Sequence, residues 1–128
     1  MLADGTRLTI LGNGTQSKSY IHVTDVVEAV LIAHRNGTER FNAYNVATAD
    51  YITVTQIAEL AIDCLGLPRD QVDLVYGQGD RGWKGDIPVV RLNSGRIRSL
   101  GWSCRLSALE AMRRALLELR DGIIAGHL

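Results

Sequence analysis

The amino-acid sequence predicts a small mixed α/β domain with few, short strands and about four helices. Short β-prone runs alternate with segments of helical periodicity, and Gly-rich turns separate them. Two segments also carry the Ser/Thr-x-x-Glu/Gln pattern of a helix N-terminus. The length of 128 residues is that of one domain. We therefore expect residues 1–128 to form a single domain, too short to hold a separate cofactor domain.

The first elements are two short extended runs and a helix. Residues 8–11 are β-prone and are closed by the turn sequence at residues 12–14, and residues 20–23 form a second extended run. A helix should follow at once, capped by Thr24 or Asp25. Its apolar positions recur at helical spacing: Val27, Val30, Leu31 and His34.

The middle of the chain predicts a strand at residues 44–47 and then the clearest helix. Thr53 and Gln56 form its capping box, and Gly66 ends it. Alternating residues at 72–76 predict a half-buried strand. The apolar stripe of this helix is Ile57, Leu60, Ala61, Cys64 and Leu65.

An irregular Gly-rich loop at residues 77–88 precedes the last two helices. Residues 94–100 predict a short helix, and the Ser107–Glu110 capping box begins a terminal helix that reaches about Asp121. The apolar face of the terminal helix is Leu109, Met112, Leu116 and Leu119.

Charge and cysteine usage exclude several classes of protein. The 14 basic and 14 acidic residues balance, so the clustered positive charge of a nucleic-acid binder is absent. No apolar run approaches the roughly 20 residues that span a bilayer. Cys64 and Cys104 match no metal-binding spacing, so we expect no metal site. They fit a reducing compartment, and we expect a cytoplasmic protein.

Residues 77–82 read GQGDRG, a literal G-x-G-x-x-G that directly follows a predicted strand. A dinucleotide-binding loop needs a helix that begins at its third glycine, whereas here the sequence continues irregularly. We therefore expect no dinucleotide to bind this chain alone. His22 and His34 are unclustered, and we assign them to a strand-to-helix corner and a helix C-terminus. With no nucleophile or acid/base pair, the chain by itself is predicted to be non-catalytic.

Two loop segments offer donors that suit an anion. Gln16, Lys18 and Ser19 precede the first helix, and Arg81 and Lys84 lie in the irregular loop. Together they would clamp a diphosphate, because Arg provides a planar fork and Lys a point charge. The alternative is that the three cations are solvated loop charges.

Three stretches resemble a known family, in the family's order. Residues 11–29 read LGNGTQSKSYIHVTDVVEA and are similar to the G-D/N-G-x-Q-x-R-D/S-F/Y segment and its continuation in the extended short-chain dehydrogenase/reductases, the NAD-dependent nucleotide-sugar epimerases and dehydratases. YNVA at 44–47, followed by the helix from Thr53, resembles a second family segment. The stretch from Asp86 through LGW at 100–102 to SALE at 107–110 resembles the family's ending. The resemblance covers about residues 8–120.

The resemblance implies the C-terminal, substrate-binding portion of such an enzyme, without the Rossmann half that holds NAD. No Tyr-x-x-x-Lys, the family's catalytic pair, occurs in the sequence. Lys18 falls where the family has an arginine that meets a substrate phosphate. Trp83 falls where it has a second arginine, so Arg81 or Lys84 would have to replace that one. Gln16 would help to position the substrate, while Asp25, Asn45 and Trp102 are expected to serve caps, turns and packing.

The expected function is to hold the diphosphate of a nucleotide-sugar for an enzyme whose NAD binds the missing Rossmann half. Two alternatives stay open: a stand-alone nucleotide-sugar binding module, and a module that mainly self-associates. A portion that normally docks against a larger domain exposes apolar surface, and such surface finds partners. We therefore expect the isolated chain to form a homo-oligomer.

Overall fold

The structure of the chain, a computed structural model, describes residues 7–87 and 89–126. Short strands and helices alternate within them, together with a 3₁₀ turn at Arg69–Gln71. The strands are β1 (Arg7–Ile10), β2 (Ser17–Lys18), β3 (Ile52–Thr53) and β4 (Asp73–Tyr76). The helices are α1 (Val23–Asn36), α2 (Val54–Cys64), α3 (Gly95–Arg98) and α4 (Ala108–Ile124).

The strands form two separate pairs. β1 and β4 are parallel, with Arg7 opposite Asp73 and Ile10 opposite Tyr76. β2 and β3 are antiparallel, with Lys18 opposite Ile52. This arrangement confirms the predicted small α/β fold with few short strands and about four helices.

Both predicted capping boxes are present. Thr53 Oγ1 accepts a hydrogen bond from Gln56 N (3.2 Å), and Gln56 Oε1 accepts one from Thr53 N (2.8 Å). Ser107 and Glu110 make the same reciprocal pair at the start of α4. Each box satisfies backbone N–H groups that have no partner within the helix, so α2 and α4 begin where the sequence predicts.

Helix α1 differs from the prediction in its cap and in its buried face. His22 is the N-cap, and its Nδ1 accepts from Thr24 N at 3.3 Å. Neither Thr24 nor Asp25 caps the helix, so that prediction was wrong. The buried positions are Asp25 and Ala29. The predicted stripe lies on the outer side, where Val27 and its apolar neighbours are about half exposed or more.

Two predicted strands are absent from the described residues. The first lies at 20–23, where the chain leaves β2 and turns into α1. The second lies at 44–47, where the backbone finds no neighbouring strand. Arginines of α3 hold this second segment instead: Arg96 donates to Ala43 O (3.2 Å) and Arg98 to Ala47 O (3.3 Å). Both runs have β propensity, but a strand also needs a partner.

A buried carboxylate ties α1 to the segment before α4. Asp25 is 1% exposed, and its Oδ2 accepts from Arg105 N (3.3 Å) and Leu106 N (3.4 Å). Its backbone carbonyl accepts from the indole Nε1 of Trp102 at 3.0 Å. Trp102 packs with Ala29 in one core of the domain. Asp25 and Trp102 therefore have the structural roles expected of them.

The cysteines are unreactive within this fold. Cys64 is buried and Cys104 half-buried, and they are not joined to each other. Burial, together with the nearby carboxylate of Asp25, raises the pKa of Cys104 to about 11. The thiol therefore stays protonated near neutral pH.

Two turns bring the anion-binding segments together. Gly77 N donates to Ile10 O (2.9 Å) and Asn13 N to Gly79 O (2.7 Å), so the loop after β4 lies against the turn after β1. Gly12 has a φ of 77°, and a Cβ there would lie 2.6 Å from Arg81 O. Glycine at this position permits both the turn and the close approach of the two loops.

Candidate anion-binding site

Lys18 and Asp86 form the centre of the candidate site. Lys18 Nζ donates to Asp86 Oδ1 at 2.6 Å, joining β2 to the loop after β4. The Lys18 side chain is 38% exposed, whereas that of Asp86 is 7% exposed. An ammonium group carries three donors. Two donors of Lys18 thus remain for another acceptor while the third holds it to the chain.

Asp86 also organises the turn of residues 82–86. Its Oδ2 accepts from Gly82 N at 3.0 Å, and its own backbone N donates to Trp83 O at 3.0 Å. The carboxylate is thereby fixed on both oxygens. Because Asp86 is fixed by the turn, the cation that it holds is fixed as well.

The ion pair shifts the titration of both groups. The hydrogen bond to Asp86 raises the pKa of Lys18, although burial opposes the shift. The hydrogen bonds from Lys18 and then from Gly82 N lower the pKa of Asp86. Both groups are therefore charged around neutral pH.

Gln16 lies inside the fold next to this site. It is 2% exposed, and its Nε2 donates to Leu11 O at 3.0 Å. Its Oε1 has no hydrogen-bond partner within the described structure. The backbone carbonyl of Gln16 accepts from Val54 N at 3.0 Å. The side chain thus supports the turn after β1 from within.

Ser19 follows Lys18 and is bound to the chain. Its Oγ pairs with the hydroxyl of Thr48 and donates to Thr48 O at 3.3 Å. Thr48 is itself buried. The hydroxyl of Ser19 thus faces the segment between α1 and α2.

Arg81 and Lys84 are exposed on the same loop as Asp86. The structure brings their loop against β2 through the Lys18–Asp86 pair and against the turn after β1. Neither side chain makes a hydrogen bond or ion pair within residues 7–87 and 89–126. They are the solvated cations at the edge of the site.

The residues present do not fit a dinucleotide. In the described structure no helix begins at Gly82, and the chain stays irregular up to Ile87. The loop therefore lacks the helix N-terminus that a pyrophosphate of NAD would face. Across residues 7–87 and 89–126, His, Cys, Asp and Glu are also not grouped as a metal ion requires. No helix of this part of the chain is long and apolar enough to cross a membrane.

Sequence reasoning missed the role of Asp86. It was noted as part of a family motif, but its partner lies 68 positions away in the chain. One signal was available: a lone aspartate in a loop of cations. Trp83 was noted only as the residue that stands in the place of an arginine.

Comparison with known proteins identifies relatives of the chain. Residues 1–47 match the sequence profile of the NAD dependent epimerase/dehydratase family. A segment of 65 residues is 36% identical to the dTDP-4-dehydro-6-deoxy-D-allose reductase of Streptomyces bikiniensis, covering 51% of this chain and 19% of that protein. The chain thus spans about a fifth of the length of this curated relative.

Solved structures match over nearly the whole chain. A UDP-galactose 4-epimerase is 26% identical with a TM-score of 0.77, over 94% of this chain and 37% of its own. The UDP-glucose 4-epimerase of Thermotoga maritima, solved with UDP-glucose, is 27% identical with a TM-score of 0.75, over 93% and 36%. These matches confirm the family resemblance seen in the sequence.

Proposed function

We propose that this chain, a relative of the NAD-dependent epimerases and dehydratases, binds the diphosphate of a nucleotide-sugar. In this proposal it supplies the substrate-binding portion of an enzyme whose NAD is held by a separate Rossmann portion. The chain orients the substrate and carries no catalytic residue of its own. Orientation is itself a large part of catalysis, since a substrate held at its remote diphosphate presents its sugar to the reacting group.

The observation that carries the proposal is the half-exposed Lys18 ammonium held at 2.6 Å by the nearly buried Asp86 carboxylate. A lysine that only solvates a loop has no such fixed partner. Asp86 fixes the position of Nζ and leaves two of its donors for phosphate oxygens. Arg81 and Lys84 extend the positive charge along the same loop.

Relatives support the choice of ligand. The Thermotoga maritima epimerase that shares this fold was solved with UDP-glucose. The irregular path after Gly82 supports the assignment of NAD to another portion of the enzyme. The unbridged cysteines fit a cytoplasmic location.

Calorimetric titration of the chain with UDP-glucose, a GDP-sugar and NAD tests the proposal. We expect a nucleotide-sugar to bind and NAD not to bind. Lys18→Gln, which keeps a donor for Asp86 but removes the charge, should weaken binding by about tenfold or more, the value of a charge-assisted hydrogen bond. Lys18→Arg should retain binding, because it restores the cation and adds a fork.

Arg113→Met on α4 is the matched control, since it removes one positive charge outside the site. It should leave the affinity unchanged. Equal loss in Arg113→Met and Lys18→Gln would show that only net charge matters. Binding of NAD would contradict the division between the two portions.

A second candidate function rests on the outer face of α1. Val23, Val27 and Val30 are 65%, 52% and 61% exposed and lie on one side of the helix. Exposed apolar stripes of this kind mark contact surfaces. The stripe favours a module that docks, either on the Rossmann portion or on a second copy of the chain.

A further inference from the structure

An exposed aromatic ring lies on the turn that fixes the Lys18–Asp86 pair. Trp83 is 67% exposed, and its carbonyl oxygen accepts from Asp86 N at 3.0 Å. One backbone turn therefore sets the positions of both the indole and the carboxylate that holds the cation. The other tryptophan, Trp102, is 2% exposed and belongs to the core.

Gly85 provides the seat of the indole. A Cβ atom on Gly85 would lie 2.4 Å from Cζ3 and 2.5 Å from Cη2 of Trp83. The ring thus rests directly against the backbone of Gly85, where any side chain would displace it. This contact orients the ring although most of its surface is open.

We propose that Trp83 is the residue on which the base of a nucleoside diphosphate stacks, with the diphosphate on Lys18. This inference rests on the proposed function and specifies how the ligand's ring is recognised. An indole carries no charge and adds nothing to phosphate binding, but its flat π face pairs well with a planar base. A ring oriented by Gly85 and tied to the Lys18–Asp86 turn offers this face close to the phosphate cation.

The first test compares UDP with inorganic pyrophosphate by calorimetry. Trp83→Ala should weaken UDP binding by about tenfold while changing pyrophosphate binding by less than about twofold, because only UDP has a base to stack. Trp83→Phe should recover most of the UDP affinity. Lys18→Gln should weaken both ligands alike.

The second test moves the ring without removing it. Gly85→Ala places a methyl group against the indole, so it should lower UDP affinity in the wild-type background. In the Trp83→Ala background the same substitution should have no effect on UDP affinity. The buried fluorescence of Trp102 reports in each variant that the core is intact.

Three outcomes overturn the inference, and they are distinguishable. If UDP binds and Trp83→Ala leaves its affinity unchanged, the stacking role fails while the proposed function stands. If Trp83→Ala weakens pyrophosphate as much as UDP, the residue acts through the turn and not through the base. If neither UDP nor pyrophosphate binds the wild-type chain, the proposed function fails and the inference fails with it.

Discussion

Two nearly buried aspartates of this domain have opposite uses. Asp25, 1% exposed, gives its Oδ2 to the backbone of Arg105 and Leu106 and faces no cation there. Asp86, 7% exposed, holds one backbone N–H and the ammonium of the half-exposed Lys18. The first carboxylate joins two segments of the fold. The second fixes a cation at the surface, and this contrast distinguishes a fold contact from a candidate binding site.

The largest expected effect breaks the fold contact. Asp25→Leu fills a similar volume but leaves the N–H groups of Arg105 and Leu106 without an acceptor, which should cost about 3 kcal/mol of the free energy of unfolding. Urea denaturation followed by circular dichroism measures it. Asp25→Asn should cost less, because its carbonyl oxygen can replace Oδ2 and its amide can take the place of the unpartnered Oδ1. Equal losses in the two variants would show that charge, and not hydrogen bonding, matters here.

Removing the second carboxylate should have a smaller effect on stability and a defined pH dependence. The pKa of Asp86 is lowered, so its stabilising contribution is present above about pH 4, the ordinary Asp value, and is lost as the pH falls through its folded value. The pKa of Lys18 is raised, so its contribution is present below about pH 10 and is lost as the pH rises through its folded value.

Unfolding measured from about pH 2 to pH 9 should therefore show wild type and Asp86→Asn separated by a constant difference near neutrality. The difference should shrink on the acid side, where Asp86 itself becomes protonated. A difference that persists undiminished in acid would mean that the ion pair does not stabilise the turn.

The smallest expected effect on stability lies on the outer face of α1. Val27→Glu and Val30→Glu should leave the free energy of unfolding nearly unchanged, since 52% and 61% of these side chains are already exposed. They should, however, abolish self-association of the chain, which sedimentation velocity over a range of concentrations detects. Ala49→Glu adds the same charge at an exposed position outside α1 and should not change association. A wild-type chain that is monomeric throughout would contradict the predicted homo-oligomer.

Local signals in the sequence predicted the elements well, while contacts between distant residues were out of reach. The Thr53–Gln56 box is made within four residues, so its sequence suffices to place the start of α2. The outer stripe of α1 had the right periodicity for a helix, but periodicity does not say which face the chain itself covers. The segment at 44–47 had β propensity but no partner strand. For the site, the sequence supplied the cations, whereas the pairing of Lys18 with Asp86 depends on how two loops fold together.

The most direct test of the central claim is to follow the two indole N–H signals by NMR during a titration with UDP. Trp83 lies on the turn beside Lys18, while the Trp102 indole donates to Asp25 O inside the core at 3.0 Å. We predict that the Trp83 indole and the Gly82 amide shift on addition of UDP, that the Trp102 signal stays in place, and that Lys18→Gln suppresses the shifts. Unmoved Trp83 and Gly82 signals at saturating UDP, or shifts that persist in Lys18→Gln, would contradict the claim that this turn binds the diphosphate.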